Sequence, residues 1–447
     1  MSRLFRGTLV AVFVLLLTAC GKDEGFTSLS IPAAFLRVAN AMPDSPQLNV
    51  LVNGRLVQRV NFGQSSTFIE VLPDLSLRFT VNYVQGGEVI PLITDEPLII
   101  GIDHDATVII AGTLANPRLV KLVNPPIGST AVQDQLEVQI AHVAALSTEP
   151  VQFELKKGAE LVQDMTLDFG EFTDLTQITG GDYTLTARSI ESGSILWESG
   201  DFSLAAGVRG LFILVDHFGP GDGGIQMLSV GEQFSSRFAN ENLPAAVRIA
   251  NMTPDRGPLD VYVDDVLFAE NLAFGSVTDY LDIPVGEFDL SVKPFGDASI
   301  TISENADVAI SSGNFHTIAL TGLADVNNSQ LYVDNTRRVS TRLLLSATNT
   351  APSFTNFDLY VMAQGSTVDT SSPRLVGLTQ LPSTNSSLTL TLEAGSYDLA
   401  ITANGNKDIL HGPTRIDVSN GGLYSLFITD SFGGGEPIEI VFADDFN

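Results

Sequence analysis

Histidines and carboxylates are the side chains of this chain that could do acid–base or metal chemistry. The five histidines are His104, His142, His217, His316 and His411. No two of them stand at i, i+2 or i, i+4, so a metal would need ligands converging from separate loops. The densest ligand-like cluster is Asp103-His104-Asp105. A second is the Gly-rich acidic stretch Asp216-His217-Phe218-Gly219-Pro220-Gly221-Asp222-Gly223. Either could offer carboxylate and backbone oxygens to Ca²⁺, but neither has the D-x-[DN]-x-[DN]-G spacing, and solvated turns explain both more simply. Asp444-Asp445 reads as an acidic tail. The chain contains no G-x-S-x-G elbow, no G-x-x-x-x-G-K-[ST] loop and no H-E-x-x-H helix. No catalytic residue, metal ligand or cofactor is therefore assigned, and the chain is read as a non-enzyme.

One residue stands out for a different chemistry. Cys20 is the only cysteine among 447 residues, so no intrachain disulfide can form. Arg3 and Arg6 precede a ten-residue apolar run, Thr8–Leu17, too short to span a bilayer as a helix. The run ends in Leu17-Thr18-Ala19-Cys20, which resembles the lipobox of bacterial lipoprotein signals. The resemblance implies cleavage between Ala19 and Cys20 and lipidation of the Cys20 thiol. It places the protein in the cell envelope, held by lipid. Gly21, where Asp would mark inner-membrane retention, points to the outer membrane. Gly21–Ala34 reads as a polar tether of roughly 20 Å.

The remainder must supply whatever those first residues carry. Lys and Arg total 23 against 52 Asp and Glu, a net charge of −29, which excludes nucleic acid as an electrostatic partner. With 44% hydrophobic residues the chain can bury a large core. Self-comparison shows one pattern written four times. Residues 36–54 and 247–265 share a basic–apolar–Ala-Asn start, a Pro-Asp pair and an alternating strand; residues 138–158 and 343–365 are divergent copies. Phe62-Gly63, Phe169-Gly170 and Phe274-Gly275 recur at matching places, where the fourth copy has Leu381-Pro382. Each copy closes with an apolar strand: Thr107–Ala111, Leu211–Val215, Thr317–Leu320 and Leu423–Ile428.

Within each copy the apolar period is two, as in Leu259, Val261 and Val263. No 12-residue window after the signal reads as an amphipathic helix. Repeats of 90–100 residues with seven or eight short strands predict an all-β chain of four tandem Ig-like antiparallel β-sandwich domains after a lipoprotein signal peptide. The boundaries are 1–19 for the signal peptide, 20–34 for the tether, and 35–126, 135–232, 244–336 and 341–447 for the sandwiches. Four sandwiches end to end would reach on the order of 130 Å; a bent or compact arrangement is equally allowed.

The residues Ala250-Asn251-Met252-Thr253-Pro254-Asp255 and Leu259-Asp260-Val261-Tyr262-Val263-Asp264 resemble the bacterial family called domain of unknown function 4397. Ala39-Asn40-Ala41-Met42-Pro43-Asp44 matches next best. The family's His is Asn at positions 40 and 251 and is kept as His142. The resemblance implies a sandwich fold in an envelope or secreted setting and supplies no activity. The Pro-Asp pairs read as structural turns, and the Phe-Gly pairs as a core aromatic beside a bend. Tyr262 and Tyr360 read as exposed cross-strand residues or a small contact surface. One Trp, eight Tyr and 26 Phe suit cores better than sugar platforms. The function this supports is a lipid-anchored scaffold, spacer or protein-interaction module. The alternative is a carbohydrate- or surface-ligand-binding, adhesin-like lipoprotein. Its partners are then a membrane, through the lipid, and an envelope protein or a glycan.

Overall fold

A computed structural model describes residues 32–125, 134–145, 149–217, 224–231, 235–323, 326–381 and 387–445. Ala19 and Cys20 lie outside these residues. Contacts group Ala33–Asn447 as one unit, apart from Met1–Pro32. Its described residues are strands, turns and one 3-10 turn, Val368–Thr370, with no α-helix among them.

The first repeat shows the plan. Its strands are β1 (Ala34–Asn40), β2 (Leu48–Val52), β3 (Arg55–Val60), β4 (Ile69–Val71), β5 (Leu77–Gln85), β6 (Glu88–Leu98), β7 (Asp105–Thr113) and β8 (Asn116–Asn124). They form two four-stranded sheets, β4-β1-β7-β8 and β3-β2-β5-β6. The alternating residues Leu36, Val38, Ala106, Val108 and Ile110 of one sheet meet Leu48, Val50, Phe79 and Val81 of the other in a closed core. Repeats 3 and 4 reproduce both sheets, and repeat 2 does so with one added strand on each. The chain is therefore four tandem β-sandwiches.

One pairing departs from a wholly antiparallel, immunoglobulin-like plan. Strand β1 runs parallel to β7, with Phe35 opposite Asp105 and Asn40 opposite Ile110. The same parallel pair recurs in every repeat. After β1 the chain crosses to the other sheet and re-enters beside β1 from the same end, so the two strands share a direction. The immunoglobulin order places the first strand with the second, fifth and fourth instead.

Strand β7 is buried along nearly its whole length rather than on alternate residues. Its inward side chains fill the repeat's own core. The others, Thr107, Ile109 and Ala111, face repeat 2, where Ala39, Ile109, Ala111 and Leu122 pack against Ala141, Leu211, Ile213, Val215 and Leu228. Repeats 1 and 2 thus stand back to back through equivalent sheets. Repeats 3 and 4 do likewise, with Ala250 and Met252 against Phe427. A sheet covered on both faces reads in sequence as an unbroken apolar run, which explains the closing strands of all four copies.

The pairs are joined as well. Between repeats 2 and 3, the Asn240 amide donates to the Leu196 carbonyl (2.9 Å) and the Glu241 N–H to the Glu198 carbonyl (2.9 Å). Repeat 1 meets the segment linking repeats 3 and 4: the Arg337 guanidinium donates to the carbonyls of Pro43 and Ser45, each at 2.9 Å. Arg342 donates to the Val84 carbonyl (2.8 Å), and Glu393 of repeat 4 accepts from the Gly86 N–H (3.0 Å). An end-to-end row does not describe these contacts.

Candidate functional site

The chemistry-bearing side chains gather where repeats meet. Arg248 sits in the first strand of repeat 3, Ala245–Asn251, on the face turned away from the core. Val247 and Ile249 point inward, so Arg248 is carried into the junction with repeat 4, where it is buried. Its guanidinium donates to Thr317 Oγ1 (2.8 Å), Ser425 Oγ (2.8 Å) and Asp445 Oδ1 (2.5 Å). A second carboxylate, Asp334 Oδ1, lies 3.5 Å away. The Tyr280 ring covers the guanidinium at 4.8 Å, and the Tyr280 hydroxyl donates to Asp334 (2.8 Å).

Two carboxylates thus face one cation inside a junction. Burial alone would lower the Arg248 pKa, but Asp334 and Asp445 outweigh it and hold the guanidinium charged. Burial raises Asp334, with Arg248 opposing. Burial likewise pushes Asp445 up to about 6 against the pull of Arg248. The sequence reading of Asp444-Asp445 as a tail is therefore corrected at Asp445, which ties the last described strand to repeat 3. A signal was present: a lone Arg inside an otherwise apolar strand needs a buried partner.

The first pair carries the counterpart. Arg37 donates to Thr107 Oγ1 (3.2 Å) and, across the junction, to the Gly231 carbonyl (2.7 Å), with the Phe68 ring 4.6 Å from its guanidinium. Nearby Arg209 of repeat 2 bonds Asp105 of repeat 1 and, at 2.6 Å, Glu137. This dissolves the Asp103-His104-Asp105 cluster. Asp103 is exposed in a turn, His104 Nδ1 bonds the Ile102 carbonyl (2.9 Å), and Asp105 points into the junction, so the solvated-turn reading fails for Asp105. In the second acidic stretch, Asp216 is buried and accepts the Ala145 N–H (2.7 Å); Phe218–Gly223 lie outside the described residues.

Other candidates turn out to be parts of turns. Asn40, His142, Asn251 and Asn349 each end the first strand of a repeat and are fully buried. Each side chain accepts the N–H two residues on, from Met42, Ala144, Thr253 and Ala351. The family's His and its Asn replacements thus occupy one structural seat. Burial lowers His142 to about 4, with Asp168 and the Glu149 backbone opposing. The unfolded chain binds the proton near pH 6.5 and the folded chain resists it to about 4, so stability falls as pH drops through that window. Relative to His142→Asn, the wild-type chain should lose about 3 kcal/mol between pH 7 and pH 4. Denaturant midpoints of both proteins across that range provide the check.

The Phe-Gly pairs are not core aromatics. In each, the glycine has positive φ (+74° at Gly63, +88° at Gly170, +78° at Gly275) and its N–H donates to the carbonyl of that same Asn or His seat. Phe62 packs against the junction of repeats 1 and 2 and stacks under Arg337. Phe274 meets Phe432 of repeat 4 at 6.0 Å, and Phe169 rests on His142. In repeats 1 and 3 the turn at the sheet end therefore touches a neighbour, whereas in repeat 2 it closes over the repeat's own His142. The Pro-Asp pairs are turns, and they also hold neighbours: Asp44 accepts the Ser340 hydroxyl (2.9 Å), and the Pro254 carbonyl accepts the Gly433 N–H (2.7 Å).

Tyr262 is half-buried beneath Lys293, 4.5 Å from its ring centre. Tyr360 is buried, against the expectation of exposure. The longer turn of repeat 4 folds back over it, and Val368 packs with Tyr360, Met362 and Ala400. A cleft of about 630 Å³ opens beside the repeat 3–4 junction, walled by Tyr280, Phe315, Asp279, Asp282 and Asp444 with Arg248 at its base. Because that guanidinium is committed to Thr317, Ser425 and two carboxylates, Arg248 is not free to bind an anionic ligand there. Among the described residues no three His, Cys, Asp or Glu side chains converge on a metal position.

The sequence model described as Domain of unknown function (DUF4397) matches residues 34–154 and 245–360, more than half of the chain. The chain belongs to this family. Each DUF4397 match begins at the first strand of one pair and ends within the second strand of its partner repeat, Val151–Lys157 or Asn356–Ala363. The family pattern therefore recurs once per back-to-back pair. No curated protein matches the chain. Among solved structures, the Bacillus anthracis TIE protein is similar at 10% identity and a TM-score of 0.15, over 90% of this chain and 69% of that one. BcpA, the major pilin subunit of Bacillus cereus, is similar at 11% and 0.14, over 66% of this chain and 98% of that one. Likenesses this loose carry no argument.

Proposed function

We propose that this DUF4397 protein is a lipid-anchored component of the cell envelope, at the outer membrane, whose four sandwiches act as a non-catalytic scaffold, spacer or protein-interaction module. The observation that carries the reading is the use made of the charged side chains. Arg37, Arg209, Arg248, Asp105 and Asp445 are consumed in joining repeats, and Asp334 in bracing Arg248 from within repeat 3. Buried pairs of this kind fix one arrangement of domains at the expense of free reactive groups. Cys20, after its basic and apolar stretches, supplies the attachment, and two or three acyl chains hold where one does not. The net charge of −29 leaves attachment to the lipid and leaves nucleic acid outside the reading. A glycan platform is the weaker reading, because Tyr360 lies beneath its own loop.

Replacing Cys20 with Ser should move the protein from the membrane fraction to the soluble fraction. Unchanged retention, followed by membrane fractionation on a density gradient and by mass spectrometry of the N-terminal peptide, would count against the anchor. Crosslinking in intact cells then identifies the envelope partner.

A further inference from the structure

Four large aliphatic side chains stand out of one end of repeat 1. Leu72 and Leu75 lie between β4 and β5 and are 60% and 53% exposed; Ile99 and Ile102 lie between β6 and β7 and are 59% and 47% exposed. The two loops are bound to each other, since the Asp74 N–H donates to the Ile100 carbonyl (2.8 Å). Both are set by left-handed residues, Asp74 at φ +58° and Asp103 at φ +60°. The tip is thus a formed surface rather than a loose turn.

The same turn is different in the other copies. Where repeat 1 has Ile99-Ile100-Gly101-Ile102, repeat 3 has Ser311-Ser312-Gly313-Asn314 and repeat 4 has Ser419-Asn420-Gly421-Gly422. Repeat 2 has Ala205-Ala206-Gly207-Val208. Isolated exposed aliphatics are ordinary on protein surfaces. Four on two adjoining loops, in one copy of four, are not explained by the shared fold.

The chain itself says what lies near this end. The Asp103 N–H donates to the Ala33 carbonyl (2.8 Å), and the Phe35 N–H to the His104 carbonyl (3.0 Å), so the polypeptide enters repeat 1 through this tip. Cys20 is 13 residues upstream of Ala33 in the sequence. No other repeat is so close in sequence to the anchor.

We propose that the tip formed by Leu72, Leu75, Ile99 and Ile102 rests in the lipid surface and orients the protein on its membrane. The inference depends on the reading that Cys20 is lipidated. The exposed Asp74 and Asp103 beside the four aliphatics keep the contact shallow and favour a zwitterionic over an anionic surface. The lipid holds the chain; the tip decides which way it stands.

The test uses the full lipidated protein on vesicles of phosphatidylethanolamine and phosphatidylcholine, with and without brominated acyl chains. The native Trp197 is buried in repeat 2 and serves as an unquenched reference. Ile99→Trp and, as a second reporter, Ile102→Trp should shift to the blue and lose about half their added emission on brominated vesicles, as side chains roughly 5–10 Å into the boundary do. Leu161→Trp, at an exposed leucine of repeat 2, should not. Protein that floats with the vesicles while both tip reporters behave like Leu161→Trp overturns the tip contact and leaves the anchor standing. Wild-type protein that fails to float overturns the anchor and the tip contact together.

Discussion

Arg248→Ala is expected to cost about 4 kcal/mol at pH 7, the scale of breaking a buried ion pair by removing one partner. The loss comes from Asp334 and Asp445, which keep their hydrogen bonds from Thr317, Tyr280 and Ser425 but lose the guanidinium that pairs with both. The deficit should shrink on acidification. Burial already raises both carboxyls, with Asp445 at about 6, and Arg248 opposes that rise. Without Arg248 they protonate at higher pH still. A group whose folded pKa is raised contributes its full stability below the unfolded value and loses it as pH climbs through the folded one. The difference between wild type and Arg248→Ala should therefore be larger at pH 7.5 than at pH 5. The measurement is paired denaturant titrations at both values. A difference that stays constant or grows in acid would contradict the buried triad.

Ile213→Asp should have a still larger effect, about 5 kcal/mol or more at neutral pH, because it puts a carboxylate into an apolar junction without a partner. Ile213 is completely buried and belongs to the cluster between repeats 1 and 2, not to the core of repeat 2. If the back-to-back packing is right, the damage appears in both repeats at once, and amide exchange should accelerate in β7 as well as in Arg209–His217. Leu161→Asp is the control: on the outward face of the other sheet it should stay within about 0.5 kcal/mol of wild type. Damage confined to repeat 2 would mean that the two sheets are not partners.

The alternation of Leu259, Val261 and Val263, and the recurrence of Phe-Gly and Pro-Asp, were enough to read four sandwiches from residues alone. The runs Thr107–Ala111 and Leu211–Val215 held more than a strand assignment. An unbroken apolar strand in a chain that otherwise alternates marks a sheet covered twice, and that is where the pairing of repeats is written. The partner of Arg248 was not legible, because Asp445 lies 197 residues away and only the packing of two sheets brings them together. Tyr360 was misplaced because strand alternation gives the face of a side chain but says nothing of a turn that folds back over it. The Phe-Gly turns kept their recurrence but not their expected place, since repetition in sequence marks equivalent positions and does not distinguish an inner contact from one between neighbours.

The doubly covered sheet has a consequence for how the chain is made. When repeat 1 is complete, Ala39, Ile109, Ala111 and Leu122 have nothing to lie against until repeat 2 has been synthesised. The third repeat meets the same delay before the fourth emerges. Nascent halves of each couple are therefore sticky, and the sensible places to truncate, permute or fuse this polypeptide are before residue 33 and near residue 244, never between partners.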